Sequence, residues 1–328
     1  MKPTQVEQAL RIAINAHRPA FIWGPPGVGK SDVVAKVAKS LDRELIDMRL
    51  SLCDPTDLKG FPQPDKKTGT THWLPSDELP TPKDGPGILF LDELNAAPQA
   101  VQAAAYQLLL NRRIGNYELP EGWDIVAAGN RDTDRGATHR MPAPLSNRLI
   151  HINYDVSLED WSKWAIDNNI RTEVLGFLRF RPNLLHAFDP NQKAFPTPRS
   201  WQFVNDLLEQ NMPGDIQYEM LAGTVGEGAA AELEGFLRTY QQMPSPDAIL
   251  LNPDSVPVPE DPATLYALST ALGMRASQQT IGNILKYTDR MPVEFNVVTV
   301  RDAVRKDPSV ASTRPFIDWS VKHSDVLL

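Results

Sequence analysis

Eight consecutive residues, Gly24-Pro25-Pro26-Gly27-Val28-Gly29-Lys30-Ser31, fit the spacing G-x-x-x-x-G-K-[ST]. Glycine lets the backbone curl until several N–H groups point at one set of phosphate oxygens. A helix beginning near Lys30 adds the positive end of its dipole. Lys30 is then placed to bridge the β- and γ-phosphates of a nucleoside triphosphate, and Ser31 to hold Mg²⁺. A glycine turn with an idle lysine is the bland alternative. The apolar run before the loop and the helical pattern after it weigh against that alternative.

A second constellation lies about 60 residues downstream, a gap read directly from the sequence. Ile88-Leu89-Phe90-Leu91 is a continuous apolar run that ends in Asp92-Glu93. A buried strand delivers its terminal carboxylates to the sheet edge, where parallel sheets bind ligands. Asp92 suits Mg²⁺, through water. Glu93 suits polarisation of an attacking water. By itself this pattern reads as a buried strand capped by solvated acids, and the phosphate loop upstream is what gives it chemical meaning. No Asn-Lys-x-Asp occurs, so GTP specificity has no support. A phosphotransferase could share the loop, but a glutamate directly after Asp92 favours hydrolysis.

These residues need a scaffold, and the hydrophobic pattern supplies one. Strand-length apolar runs fall at 20–23, 45–48, 88–91, 125–128 and 149–152, with helical spacing at 32–41 and 97–110. Strands alternating with helices predict a parallel sheet covered on both faces. A helix near the start is predicted from the capping-box spacing of Thr4 and Glu7. Hairpins are expected at 60–74, turning near Lys67-Thr68-Gly69, and at 112–119, turning at Gly115-Asn116. They are either ordinary surface excursions or protruding contacts to a partner or a central pore. Beyond residue 157 strand signals become scarce, and helices are expected at 199–209, 227–240, 263–274, 278–287 and 297–306. Prolines at 244, 246, 253, 257, 259 and 262 predict an extended connector between them.

The composition narrows the function. With 33 Lys plus Arg against 41 Asp plus Glu, the formal charge of −8 argues against a dedicated duplex-DNA binder. The 328 residues suggest two domains or one with an extension. Cys53 is the single cysteine, so no intrachain disulfide framework can form, and it reads as a small core residue. His17, His72, His139, His151, His186 and His323 lack metal-ligand spacing. The first residues lack an apolar signal core and no run is long enough to span a membrane. A cytoplasmic protein without membrane attachment is the expectation.

The chain resembles the AAA+ ATPases of the MoxR type, near the dynein-related and magnesium-chelatase-like groups. The resemblance covers about residues 19–201, and its most specific stretch is Asp92-Glu93-Leu94-Asn95-Ala96-Ala97-Pro98 followed by Val101-Gln102. It implies an α/β P-loop NTPase core at 1–152, a helical lid at 153–243, and a Pro-rich connector with a C-terminal helical extension at 244–328. Gly24, Pro25, Pro26, Gly27, Val28, Gly29, Lys30 and Ser31 would bind ATP, with Ser31 and Asp92 at Mg²⁺ and Glu93 orienting water. Ile125-Val126-Ala127-Ala128-Gly129-Asn130 resembles the first sensor strand, placing Asn130 at the attacking water or γ-phosphate.

Pro144-Leu145-Ser146-Asn147-Arg148-Leu149 resembles the segment with the arginine finger. Arg148 would reach the nucleotide of a neighbouring subunit, with Arg140 as its rival. Thr197-Pro198-Arg199-Ser200-Trp201 resembles the second sensor, so Arg199 would contact the γ-phosphate from its own chain. The sensor loop, with Arg131 and Arg135, is more charged than is usual in the family. A homo-oligomer follows from the resemblance, a hexameric ring above all. So does remodelling of a protein client, with von Willebrand factor A domain proteins as the implied partner class, or metal or cofactor insertion into it. A nucleic-acid motor or loader is disfavoured by the charge. A nucleotide-gated interaction module is disfavoured by the intact acidic pair.

Overall fold

Successive residues of a strand face opposite sides of a sheet, so one central sheet can feed two packed faces. The computed structural model describes residues 1–131, 134, 141–210 and 212–324, and contacts divide them into two compact units, Met1–Ser157 and Leu158–Leu328. The first contains, in chain order, α1 (Pro3–Asn15), β1 (Ala20–Trp23), α2 (Lys30–Ser40), β2 (Glu44–Arg49), α3 (Pro55–Lys59), β3 (Phe61–Asp65), β4 (Thr70–Leu74), β5 (Gly87–Asp92), α4 (Gln99–Asn111), β6 (Arg113–Ile114), β7 (Tyr117–Glu118), β8 (Trp123–Gly129), α5 (Ala143–Ser146) and β9 (Ile150–Asn153).

Five of these strands form one parallel sheet in the order β2-β5-β8-β1-β9. The α/β parallel-sheet expectation holds. On one face Ala20, Ile22, Ile88, Phe90, Val126, Ala128 and Ile152 pack with Val6, Leu10, Val33, Val34 and Val37 of α1 and α2. On the other, Phe21, Leu89, Leu91, Ile125 and Ala127 pack with Val101, Ala105 and Leu108 of α4. Each large side chain so buried contributes about 1.5–3 kcal/mol. The central strands β5 and β8 are buried along their whole length, which is why 88–91 reads as a continuous apolar run.

Helix α1 starts earlier than Thr4 and Glu7 predict. Its N-cap is Lys2, Pro3 takes the first helical position, and the Lys2 N–H donates to Gln5 Oε1 at 3.0 Å. Proline needs no partner there and its φ is already helical, so it outcompetes the threonine cap. Both hairpins form, β3 with β4 and β6 with β7. They lie against each other: Asn116 Nδ2 is 2.9 Å from His72 Nδ1 and donates to the Trp73 carbonyl at 3.3 Å. Cys53 is half-buried and packs against the core cluster beside α4. At the start of β8, the buried Asp124 carboxylate accepts from Arg43 and sits 3.1 Å from His17 Nδ1.

The second unit is helical throughout its described residues: α6 (Leu158–Asp167), α7 (Thr172–Phe180), α8 (Pro198–Leu208), α9 (Gly214–Val225), α10 (Glu227–Gln242), α11 (Pro246–Leu251), α12 (Pro262–Met274), α13 (Ile281–Thr288), α14 (Val293–Lys306) and α15 (Arg314–Lys322), besides short 3-10 turns. Arg179 of α7 donates to Asp302 Oδ1 of α14 at 2.7 Å, both well buried. Burial pushes the Asp302 carboxyl up against the opposing pull of Arg179.

The proline-rich segment is not wholly extended, because α11 forms within it. Pro246 occupies a position where its missing N–H costs nothing, and Ser245 Oγ accepts from Ala248 N at 3.4 Å. Asp261 then caps α12, accepting from the Thr264 N–H at 2.8 Å and its hydroxyl at 2.7 Å. Among the described residues no helix is long and apolar enough to cross a membrane.

Candidate nucleotide site

The loop between β1 and α2 takes its shape from Gly27 and Gly29, whose φ values of 74° and 91° fall where a side chain is disfavoured. Gly29 is the N-cap of α2, so the helix begins at Lys30 as the motif requires. The Gly24 N–H donates to Gly129 O at 3.2 Å, which ties the start of the loop to the end of β8. Val28 is buried against the sheet and anchors the turn.

From α2, Lys30 Nζ donates to the carbonyls of Gly24 and Pro25 at 2.7 and 2.9 Å and to Asn130 Oδ1 at 3.1 Å. Ser31 Oγ donates to Asp92 Oδ2 at 2.9 Å. Three elements therefore meet at the C-terminal edge of the sheet: the start of α2, the tip of β5 and the residue after β8. That edge is where parallel sheets present their ligand sites. Ser31 and Asp92 offer hydroxyl and carboxylate oxygens, the hard donors that Mg²⁺ takes. No group of three or more His, Cys, Asp or Glu able to hold a metal exists among the described residues.

Glu93 follows β5 in the left-handed region, at φ 54°. Its backbone N–H donates to Asp92 Oδ1 at 2.8 Å. Ser51 Oγ donates to Glu93 Oε2, and Arg49 Nε lies 3.8 Å from Glu93 Oε1. Arg49 is the register partner of Asp92 in the β2–β5 pairing. On β2, burial pushes the Asp47 carboxyl above its ordinary value; the nearby Asp92 adds to the rise and Arg49 opposes it.

Asn95, in the short 3-10 turn Leu94–Ala96, is almost wholly buried. Its Nδ2 donates to Asn130 O at 2.7 Å and its Oδ1 accepts from Asn130 N at 3.1 Å. Arg131 Nη2 donates to Tyr154 O at 2.6 Å and to Asp155 Oδ1 at 2.8 Å, joining the exits of β8 and β9.

The fold thus brings together Lys30, Ser31, Asp92, Glu93 and Asn130. It does not bring Arg148 to them. Arg148 is exposed and precedes β9 by two residues, and Ile150 pairs with Ala20 at the opposite end of β1 from Gly24. Four strand residues separate those rims by about 13 Å. Around Arg148 lies a groove of 740 Å³ lined also by His17, Arg18, Arg112 and Asp124. Arg140 and Arg135 lie outside the described residues. Arg199 belongs to the second unit, exposed in the first turn of α8. Thr197 Oγ1 accepts from Ser200 N at 3.0 Å there, and buried Trp201 donates Nε1 to Leu184 O at 2.6 Å.

Residues 19–149 match the family described as the AAA domain of the dynein-related subfamily. The chain thus carries a segment similar to that family. Midasin of Giardia intestinalis is 30% identical over an alignment covering 63% of this chain, and the chain spans 4% of that relative's length. Among solved structures, a Thermotoga maritima RuvB variant aligns with TM-score 0.41 and 17% identity over 82% of this chain and 81% of that one. Brucella abortus NtrX in complex with ATP aligns with TM-score 0.40 and 12% identity over 99% of this chain and 68% of that one.

Lys30, Ser31, Asp92, Glu93 and Asn130, the candidates read from the sequence, are residues that the fold gathers at one sheet edge. Ser51 and Arg49, which lie beside Glu93, were not among those candidates; Asn95 carried a signal, as part of the Asp92–Pro98 stretch. Ser51 carried none, because the proximity to Glu93 comes from strand pairing across 42 positions.

Proposed function

We propose that this chain hydrolyses ATP as a MoxR-type AAA+ ATPase. The observation that carries the reading is the pair of hydrogen bonds, Lys30 to Asn130 and Ser31 to Asp92, made by consecutive residues at the start of α2 beside Glu93. Lys30 binds the β- and γ-phosphates as a point charge, with the N–H groups of the loop and the start of α2 around them. Ser31 Oγ, and Asp92 through water, would hold Mg²⁺, which would supply neutralisation of the phosphate charge.

Glu93 accepts a proton from the water that attacks the γ-phosphorus. A new P–O bond forms, the bond from phosphorus to the bridging oxygen breaks, and ADP leaves with that oxygen. Asn130 donates a neutral amide N–H to the water or the γ-phosphate while its Oδ1 faces Lys30. The family resemblance assigns Arg199 to γ-phosphate sensing. It also assigns Arg148 to the nucleotide of a neighbouring copy, and the position of Arg148 on the far rim supports action on a neighbour over action on its own site. The assembly would be a homo-oligomeric ring, a hexamer by resemblance. Its work would be remodelling a protein partner, with von Willebrand factor A domain proteins as the partner class.

Replacing Glu93 by Gln tests the chemistry directly. The side chain keeps its shape but loses its basicity, so phosphate release should fall by about 10²–10⁴-fold. Binding of a fluorescent ATP analogue should persist. Undiminished phosphate release removes Glu93 from the mechanism. The same protein, held with ATP and used as bait, tests the partner class by what co-elutes.

A further inference from the structure

We infer that Asn95 is a positioning residue for the hydrolytic step: its buried side-chain amide fixes the sensor residue Asn130 by gripping that residue's backbone at both polar groups. The inference rests on the ATPase reading above and extends it to a residue outside the reacting groups.

Asn95 is about 1% exposed, and a buried primary amide must satisfy its donors and acceptor locally. It does so on one residue 35 positions away, donating to Asn130 O at 2.7 Å and accepting from Asn130 N at 3.1 Å. Two antiparallel hydrogen bonds between one planar amide and one backbone residue fix both distance and orientation. Asn130 is the first residue beyond β8, so the sheet itself no longer holds its polar groups. The clamp continues the order of the sheet by one residue.

Gly129 makes the approach possible. A Cβ at that position would overlap Asn95 Oδ1 and come within 2.8 Å of Asn95 Cγ. From the clamped backbone the Asn130 side chain extends to Lys30 Nζ at 3.1 Å. The path therefore runs from the turn that bears Glu93, through Asn95, to Asn130 and Lys30. It links the group that receives the water's proton to the groups that hold the phosphate. Asn95 touches none of the reacting atoms and acts by placement.

Loss of a placement residue lowers turnover more than affinity, and misplacement by about 1 Å can cost on the order of 10²-fold. The test measures steady-state phosphate release by the full chain with saturating Mg²⁺ and ATP. It compares wild type, Asn130→Ala, Asn95→Ala, Asn95→Asp and the double variant Asn95→Ala/Asn130→Ala. Asn95→Asp retains size and the acceptor for Asn130 N–H but turns an oxygen toward Asn130 O, so it breaks half the clamp if Asn95→Ala does not fold.

The expected result is a kcat at least about tenfold below wild type in both Asn95 variants, with KM changed far less. The double variant should be no slower than Asn130→Ala, because positioning a missing side chain has no further effect. A merely structural Asn95 would lower thermal stability and multiply its loss onto Asn130→Ala. Wild-type turnover in the Asn95 variants, or multiplicative losses in the double variant, overturns the inference while leaving the ATPase reading intact. A wild-type chain without turnover overturns both.

Discussion

Substituting Gly129 by Ala adds one methyl group at the most crowded point of the site. The new Cβ would overlap Asn95 Oδ1 and lie 2.8 Å from Phe21 Cζ, in the middle of the sheet. Overpacking of this kind costs about 1–3 kcal/mol. If Asn95 is pushed aside, the N–H and C=O of Asn130 lose their partner, and each unsatisfied buried group costs about 1–3 kcal/mol. Alanine recovers about 0.5–1 kcal/mol over glycine in a strand. The net loss should be at least about 2 kcal/mol.

Urea unfolding followed by fluorescence of the buried Trp123 in the same unit reads it. The matched control is Gly85→Ala, where a Cβ meets nothing within 4 Å. That variant should gain about 0.4–1 kcal/mol through the unfolded chain. The same chemical change thus has opposite signs at two places. If Gly129→Ala unfolds within about 0.5 kcal/mol of wild type, a difference typical of neutral sites, the packing reasoning fails.

Two further outcomes are expected. The Thr264 N–H, and then its hydroxyl, hold the Asp261 carboxyl below its unfolded value of 3.8. Its stabilising contribution is therefore fully present above pH 3.8 and is lost as pH falls through the folded value. Asp261→Ala should cost about 1 kcal/mol near neutral pH, and pH-dependent urea curves of the two proteins should converge in acid; a constant gap rules out the cap. For Arg148, truncation to Ala should leave nucleotide binding unchanged while phosphate release per chain falls by about 10³-fold or more. Wild-type specific activity should climb with protein concentration, and a concentration-independent rate combined with an active Arg148→Ala variant removes the neighbour from the reaction.

Local signals were legible in the sequence because local physics made them. The loop at 24–31 needed glycines at two left-handed positions, Gly27 and Gly29, of which the motif fixes Gly29 and leaves Gly27 at a variable position. The strand run 88–91 was continuous because β5 is buried on both faces. The order β2-β5-β8-β1-β9 left no trace in any one segment, since parallel register is decided by pairing between distant residues. For the same reason the grip of Asn95 on Asn130 and of Ser51 on Glu93 could not be read. In the second unit α7, for which no helix was expected, carries Gly176 at its centre, a weak helix former. There the missing Cβ permits close packing, with Ala267 Cα 3.4 Å from where it would stand. Helix α9 begins at Gly214 and carries Gly223, both weak helix formers. The early start of α1 shows a proline outranking a capping threonine, a competition that spacing rules do not weigh.

The backbone at Glu93 places the catalytic candidate at odds with the folding of its own turn. A side chain held at φ 54° costs the native state roughly 1–2 kcal/mol, which glycine would avoid. Selection for robustness alone would empty that position of its carboxylate. A variant library screened only for thermal tolerance should accordingly drift toward small or permissive residues there, yielding sturdier proteins that have lost their acid.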